Sequence, residues 1–148
     1  MPLDLTAAMN ASPASALIPA LARVAQVAQN ELQKKVLTTY GLDWNEFQVL
    51  RVVEAFPMIR SSQAATKLGL HRATLSGVVA RLEARNMLRR LESEDRVRVD
   101  LILTPRGSDI WRLVSAAVSE HEREFVRRPT ARRALVALSR HIGSITSK

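Results

Sequence analysis

The sequence predicts a mostly α-helical fold with one small β-hairpin, an α+β architecture with long helices at both ends of the chain. Apolar residues recur at three- and four-residue intervals through most of its 148 residues, which is the period of amphipathic helices. Between Met87 and Leu103 the period changes to two, as is typical of half-buried strands. Pro, Gly and Asn residues interrupt the pattern where helices are expected to begin or end.

The composition limits the classes of function. Hydrophobic residues make up 47% of the chain, which is enough for a packed core and unlike a disordered protein. No apolar stretch approaches the roughly 20 residues of a membrane span, and the N-terminus does not resemble a signal peptide, so we expect a cytoplasmic protein. Because cysteine is absent, disulfides, thiolate nucleophiles and Cys-ligated zinc are excluded.

The positive charge is unevenly distributed along the chain. The formal net charge is +8. Residues 1–59 contain four basic and five acidic side chains, whereas residues 60–106 contain ten basic and five acidic ones. This excess favours a surface that binds a polyanion, and ordinary solvated helix faces are the alternative.

The first predicted helix is long. Residues 1–11 show no period and predict a flexible N-terminal arm. Ser12-Pro13 follows as a typical helix start, an N-cap residue before a proline. Apolar residues continue at helical spacing to about Tyr40, and Gly41 provides a stop.

Two shorter helices follow. Asp43, with Glu46 three residues later, resembles a capping box at the start of the second helix. The third helix begins at Ser61 or Ser62 and ends before a tight turn at Gly69.

The fourth helix runs from about Arg72 to Arg85. Its apolar residues fall at i, i+3, i+4 and i+7, which predicts one buried face made of Leu75, Val78, Val79 and Leu82. Asn86 stands where a left-handed residue would end the helix, a conformation that asparagine tolerates.

A hairpin and two further helices complete the chain. Met87–Leu91 and Val97–Leu103 predict two strands joined by a polar tip. Thr104-Pro105 begins the fifth helix, Pro129-Thr130 breaks it, and a sixth helix is predicted to about Ile145.

A short helix, a glycine turn, a second helix and a hairpin describe a winged helix-turn-helix, a DNA-binding architecture. The face of the fourth helix opposite its apolar stripe carries small, hydroxyl and cationic side chains, which suit the major groove. The predicted DNA contacts are Ser61, Ser62, Arg72, Thr74, Ser76, Arg81 and Arg85 from the helices, with Arg96 and Arg98 from the wing. Within this set we expect Arg81 to touch phosphate while Thr74 and Ser76 read base edges. A solvated helix face is again the alternative.

Several motifs keep the spacing of one known family. They are Thr74-Leu75-Ser76, Arg81-Leu82-Glu83, Asn86-Met87-Leu88 with Arg90, Asp95-Arg96, and Leu103-Thr104-Pro105-Arg106-Gly107. Together they resemble the MarR family of bacterial transcriptional regulators, over essentially the whole chain. The resemblance implies one domain over residues 12–148, with dimerisation helices in 12–42 and 105–148 and a DNA-binding lobe in 43–104.

The chain departs from the family pattern at two positions. Asn86 replaces the usual glycine. At the wing tip, Val97 stands where the family has an arginine two residues after Asp95. Strand alternation places Arg96 and Arg98 on one face, so either arginine is a candidate for the minor groove, and the choice between them stays open.

The family resemblance also implies a function. It implies a homodimer that binds a pseudo-palindromic operator in double-stranded DNA, as a repressor that a small aromatic carboxylate releases. The candidate ligand-binding residues are Arg23, Trp44, Phe47 and Trp111, where Arg23 would pair with the carboxylate. Alternatively, the rings are core residues and Arg23 faces water. A ligand-independent regulator or activator remains an alternative function, as does a protein-interaction dimer with a non-functional DNA-binding lobe.

Enzymatic chemistry is not expected. Glu92, Glu94 and Asp95 lie on a polar hairpin tip beside arginines, and the three histidines have no metal-ligand spacing. His121 with Glu124 is the nearest approach to a zinc pair. We therefore expect no catalytic residue, no metal and no cofactor.

Overall fold

A computed structural model describes residues 17–94 and 98–129, together with residues 131, 132, 136 and 139. The chain divides into two compact units. One unit is Gln33–Ala117, and the other combines Met1–Leu32 with Val118–Lys148. The predicted N-terminal arm, the helix start at Ser12-Pro13 and most of the predicted sixth helix lie outside the described residues.

The described part contains five bounded α-helices, one short 3₁₀ helix and three strands. Residues 129, 131, 132, 136 and 139, in the region of the predicted sixth helix, are helical as well. In chain order they are α1 (Leu17–Lys35), the 3₁₀ helix (Leu37–Tyr40), α2 (Trp44–Ala55), β1 (Ile59–Arg60), α3 (Ser61–Leu68), α4 (Arg72–Ala84), β2 (Leu88–Glu92), β3 (Val99–Leu103) and α5 (Pro105–Arg127). The predicted fold class, mostly helical with a small sheet, is confirmed. No helix in these described segments is long and apolar enough to cross a membrane.

The Gln33–Ala117 unit has its core between α2, α4 and the sheet. Its most buried side chains, each at most 1% exposed, include Leu37, Val49, Leu50, Val53, Leu75, Leu82, Leu88 and Leu101. The three strands are antiparallel in the order β1-β3-β2, with Leu101 of β3 opposite both Ile59 and Arg90. The sequence analysis missed β1, because two residues are too few to show a strand period.

The first helix ends earlier than predicted. The sequence indicated a helix to about Tyr40, but α1 stops at Lys35 and a 3₁₀ turn follows. The hydroxyl of Thr38 donates to the carbonyl of Gln33 at 2.7 Å, and the Gln33 amide donates to the Leu42 carbonyl at 2.8 Å. These local side-chain bonds compete with the helical ladder. Gly41, at φ 64°, then ends the turn.

The start of α5 fits closely against the end of α4. The hydroxyl of Thr104 donates to the Asn86 carbonyl at 2.6 Å and accepts from the amide of Gly107 at 3.0 Å, as an N-cap residue does. A Cβ on Gly107 would lie 1.8 Å from the Met87 carbonyl oxygen. Asn86 has a φ of 53° and so adopts the predicted left-handed conformation.

The second unit has contacts of its own. Arg128 forms an ion pair with Glu31, with 2.8 Å between its nitrogen and the carboxylate oxygen. Leu32 lies in α1, Val118 and His121 lie in α5, and all three are buried. Helix α5 ends at Arg127, just before the predicted break at Pro129.

Candidate nucleic-acid interface

Helix α4 has one buried and one exposed face. Its four apolar residues at helical spacing, Leu75, Val78, Val79 and Leu82, are each at most 1% exposed, which confirms the predicted stripe. Arg72, Thr74, Ser76, Gly77 and Arg81 are all exposed. Packing of the apolar stripe therefore presents hydroxyl and cationic groups to the outside, the arrangement that an inserted recognition helix needs.

Helix α3 and the turn after it position α4. Ala64 and Ala65 are buried, whereas Ser62 is exposed and Ser61 is half-buried at the start of the helix. Gly69 has a φ of 63° and donates its backbone N–H to the carbonyls of Ala65 and Thr66. This left-handed cap ends α3 and lets the chain turn into α4 within three residues.

The predicted capping box at α2 is confirmed. The Asp43 carboxylate accepts from the Glu46 amide at 2.8 Å, and the Glu46 carboxylate accepts from the Asp43 amide at 3.0 Å. Glu46 is nevertheless buried, with a side chain 6% exposed. A buried carboxylate needs charged partners, and α4 supplies them.

Arg81 of α4 and Arg85, the residue that caps the end of α4, both contact this capping box. Arg81 Nη2 lies 2.9 Å from Asp43 Oδ2, and Arg81 Nε lies 3.3 Å from Glu46 Oε1. Arg85 Nη1 lies 3.3 Å from Glu46 Oε2 and donates to the Gly41 carbonyl at 2.8 Å. We call Asp43, Glu46, Arg81 and Arg85 the four-charge cluster. It fixes the second half of α4 against the start of α2.

The cluster was missed by the sequence analysis, which placed both arginines on the DNA-facing surface. The hydrogen bond to Glu46 and the charge of Asp43 raise the pKa of Arg81 above its usual value, so the guanidinium stays charged. Its side chain is 51% exposed, so it also remains accessible from outside. The contact of Arg81 and Arg85 with DNA stays a prediction.

A second ion pair joins the hairpin to α4. Glu83 accepts from the backbone amide of Arg90 at 2.9 Å and from its Nη1 at 2.8 Å. Arg90 Nη2 also donates to the carbonyl of Ser76 at 2.9 Å. Strand β2 is thereby tied to the part of α4 that carries the predicted base-reading residues.

The wing is described on both sides of residues 95–97, so Arg96 lies outside the described residues. The Nε of Arg98 lies 2.8 and 2.9 Å from the two carboxylate oxygens of Asp100. This hydrogen bond and the charge of Asp100 raise the pKa of Arg98. Asp100 is buried at 6% exposure and lies opposite Arg60 of β1 in the sheet. The arginine side chain is held at the surface, 48% exposed.

The candidate ligand residues fall in different units. The rings of Trp44 and Phe47 lie 5.8 Å apart, and those of Phe47 and Trp111 stack at 5.7 Å with 28° between their planes. Phe47 is buried, and both tryptophans are partly exposed. These three rings, which we call the aromatic cluster, belong to the Gln33–Ala117 unit, whereas the exposed Arg23 belongs to the other unit. A site shared by Arg23 and the aromatic cluster stays a prediction.

The histidines do not form a ligand set within the described residues. His71 is exposed next to α4, and His121 is buried in the other unit. Among the residues that the structure describes, no group of three or more His, Cys, Asp or Glu side chains has the arrangement to hold a metal ion.

The fold and the exposed α4 face define a winged helix-turn-helix protein. Within that class, residues 40–98 match the family model described as the MarR family. The match is to the family that the sequence motifs indicated. The uncharacterized HTH-type transcriptional regulator YwaE of Bacillus subtilis is 30% identical over 88 residues, which are 59% of this chain and 52% of YwaE. The match thus spans about half the length of that relative.

Solved structures share the fold over most of the chain. The PcaV regulator of Streptomyces coelicolor, in complex with its natural ligand, has a TM-score of 0.68 and 22% identity over 87% of this chain and 93% of PcaV. BpsR of Bordetella bronchiseptica, whose DNA binding is regulated by 6-hydroxynicotinic acid, has a TM-score of 0.71 and 22% identity over 86% and 98%. The repressor CouR, bound to a 23-mer DNA duplex, has a TM-score of 0.73 and 24% identity over 86% and 92%.

Proposed function

We propose that the protein is a DNA-binding transcriptional regulator that acts as a homodimeric repressor on a pseudo-palindromic operator. The observation that carries the proposal is the exposed face of α4, where Arg72, Thr74 and Ser76 point outward from a helix whose opposite side is buried. The DNA-bound CouR structure has the same fold. As a regulator that binds its operator directly, the protein is proposed to act in the cytoplasm.

The proposed contacts with DNA differ according to the element that carries each residue. Arg72, Thr74 and Ser76 enter the major groove, where hydroxyl and guanidinium groups donate to base edges. Ser61 and Ser62, at the start of α3, lie beside the phosphate backbone. Arg98, held by Asp100, and Arg96 reach from the wing. Arg81 and Arg85 contact phosphates from the four-charge cluster.

Dimerisation is supported by apolar side chains on the long helices. Ile18 in α1 is 78% exposed, and Leu113 and Val126 in α5 are 56% and 47% exposed. Large apolar side chains on long helices favour burial against a second copy. Two copies related by a two-fold axis present two recognition helices to a pseudo-palindromic site.

The proposed effector is a small aromatic carboxylate. The regulation of BpsR by 6-hydroxynicotinic acid supports this ligand class for the fold. In this chain the ring would lie against the aromatic cluster. Because linkage is reciprocal, the ligand weakens DNA binding by the factor by which DNA weakens ligand binding.

Salt-dependent binding to duplex DNA tests the proposal. Fluorescence anisotropy with a random duplex should give a steep fall of affinity with salt, since Lys and Arg side chains release counterions from phosphates. Arg72→Gln should weaken binding, whereas Arg51→Gln, the same change at an exposed arginine on α2, should not. A flat salt response, or equal effects of the two variants, would favour a protein-interaction dimer without a DNA-binding role.

A reporter under the isolated operator tests the sign of regulation. Repression that an aromatic acid relieves supports the proposal. Activation, or repression that no aromatic acid changes, would replace it with an activator or a ligand-independent regulator.

A further inference from the structure

The wing carries an arginine one residue away from the position that the family pattern gives it. That position is Val97 in this chain, and Arg98 follows. The backbone of Arg98 is fixed against the other side of the hairpin. Its amide donates to the Ser93 hydroxyl oxygen at 3.0 Å, and its carbonyl accepts from the Ser93 amide at 2.9 Å. Asp100, the second residue of β3, lies two positions further on, so it shares a face with Arg98.

Arg98 and Asp100 form an ion pair with one exposed and one buried member. The side chain of Asp100 is 8% exposed, whereas that of Arg98 is 48% exposed. A buried carboxylate needs a charged partner or hydrogen bonds, so Asp100 keeps the guanidinium against the strand. Because the arginine is the exposed member, the pair presents a fixed cation on the outside of the wing.

The hydrogen bonds of this pair leave most of the guanidinium available. Both carboxylate oxygens of Asp100 accept from the same nitrogen, the Nε of Arg98, at 2.8 and 2.9 Å. Among the described residues, no hydrogen bond is made by either Nη group of Arg98. The two Nη groups carry most of the N–H donors of an arginine. The side chain is therefore held at its inner nitrogen while its outer donors can bind a partner.

A guanidinium held in this way suits the minor groove of A·T-rich DNA. The narrow minor groove of A-tracts has an enhanced negative potential that attracts arginine. Adenine N3 and thymine O2 accept hydrogen bonds there, whereas a G·C pair adds the amino group of guanine. A side chain that is already ordered also loses less conformational entropy when it binds.

We propose that Arg98 enters the minor groove beside each half-site, that Asp100 is its positioning residue, and that the operator has A·T base pairs at this contact. The preference rests on the proposed function, in which the protein binds DNA. It chooses Arg98 over Arg96, a choice that the sequence leaves open. Asp100 itself touches no DNA and acts through the orientation of Arg98.

Base substitutions that change only the minor groove test the proposal. A duplex that the full chain selects from a random pool is synthesised with each flanking base pair in turn as A·T, G·C or inosine·C. Inosine lacks the amino group of guanine, so an inosine·C pair keeps the major-groove pattern of G·C and has only acceptors in the minor groove. At the contacted position, the wild type should bind the A·T and inosine·C duplexes about fivefold or more tightly than the G·C duplex.

Variants of the pair separate the arginine from its carboxylate. Arg98→Ala should abolish the preference, and Asp100→Asn should reduce it about two- to tenfold, as expected when one long side chain has to be ordered on binding. Comparing two duplexes with the same variant cancels the change in net charge, which by itself strengthens binding to any DNA. In the Arg98→Ala background, Asp100→Asn should have no further effect on the preference. Arg51→Ala, at an exposed arginine of α2, should keep it.

Two conservative variants separate these effects from a loss of folding. Arg98→Lys keeps a cation beside Asp100, so Tm should stay close to that of the wild type. A single ammonium group cannot bond the carboxylate and also present a planar fork to DNA, so the preference should be lost in a folded protein. If Asp100→Asn does not fold, Asp100→Glu, which keeps the charge but shifts the carboxylate, should reduce the preference in its place.

The outcomes distinguish this proposal from the proposed function. A preference that survives in Arg98→Ala or Arg98→Lys assigns the minor groove to another residue, such as Arg96, and overturns the proposal. An unchanged preference in the folded Asp100 variant overturns it as well, and so does a wild type that binds duplex DNA with no preference at any flanking position. Failure to bind any duplex would overturn the proposed function together with this contact.

Discussion

Gly77 lies in the middle of α4, where a glycine costs a helix about 0.5–1 kcal/mol relative to alanine. Nothing lies within 4 Å of the position that a Cβ would occupy, so packing inside the protein does not require it. Its place on the exposed face between Thr74 and Arg81 gives it another use. In the proposed DNA complex, the missing side chain would let the helix approach the floor of the major groove.

Gly77→Ala is therefore expected to change stability and DNA binding in opposite directions. The free energy of unfolding should rise by about 0.5–1 kcal/mol because alanine favours the helix. Affinity for DNA should fall because the added methyl group would hold the surface of α4 away from the bases in the groove. Thermal denaturation and anisotropy measure the two effects. Unchanged DNA affinity would show that DNA does not approach this residue closely.

Arg81 contacts two carboxylates and yet is half exposed, so its guanidinium can exchange Asp43 for a phosphate. Arg81→Ala should weaken binding to all sequences alike and reduce the slope of log affinity against log salt by about one. Arg51→Ala is the matched control. Weaker binding with an unchanged salt slope would instead mean that Arg81 does not contact phosphate. Its role would then be to hold α4 against α2 through Asp43 and Glu46.

At the scale of the elements, α5 begins in close contact with the residues between α4 and β2. Thr104 caps α5 and also donates to the Asn86 carbonyl, so one side chain joins the end of one helix to the start of the next. Gly107 allows this approach, since its Cα faces the Met87 carbonyl directly. The Leu-Thr-x-x-Gly motif therefore has a packing explanation.

Gly107→Ala should destabilise the protein by about 2–4 kcal/mol, because the added methyl would lie 1.8 Å from a backbone oxygen that is held by the fold. Gly77→Ala is the control, since the same change is made at a helical glycine with open space. Denaturant unfolding of both variants measures the difference. Equal stabilities would show that α5 shifts freely and that the contact with Met87 does not constrain it.

For the whole molecule, the proposed two-fold dimer makes a geometric prediction. Each chain supplies one recognition helix, so two half-sites should lie about one DNA turn apart, roughly 10 base pairs from centre to centre. Inserting about five base pairs between them turns one half-site to the opposite side of the duplex. Tight binding in a gel-shift assay should be lost. Unchanged affinity would contradict the two-fold arrangement.

Local features of this chain followed from the sequence alone. Four features each involve residues at most seven positions apart. They are the apolar stripe of α4, the capping box of Asp43 with Glu46, the left-handed Asn86 and the start of α5 at Thr104. Such spacings set the period and the caps of a helix before any tertiary contact forms. Each motif that resembles the MarR family is also local, which is why the fold class and the exposed face of α4 were predictable.

The tertiary structure decided the features that join distant residues. Glu46 and Arg81 are 35 residues apart in the sequence, and no local pattern pairs them. β1 is two residues long and pairs with β3, where its Arg60 lies opposite the buried Asp100. An open cavity beside Phe56 likewise needs α4 to bring Arg72 next to the loop of residues 56–58, which ends 14 residues earlier. Burial and charge pairing depend on which elements pack together, so these contacts are set by the packed fold and not by the spacing of residues along the chain.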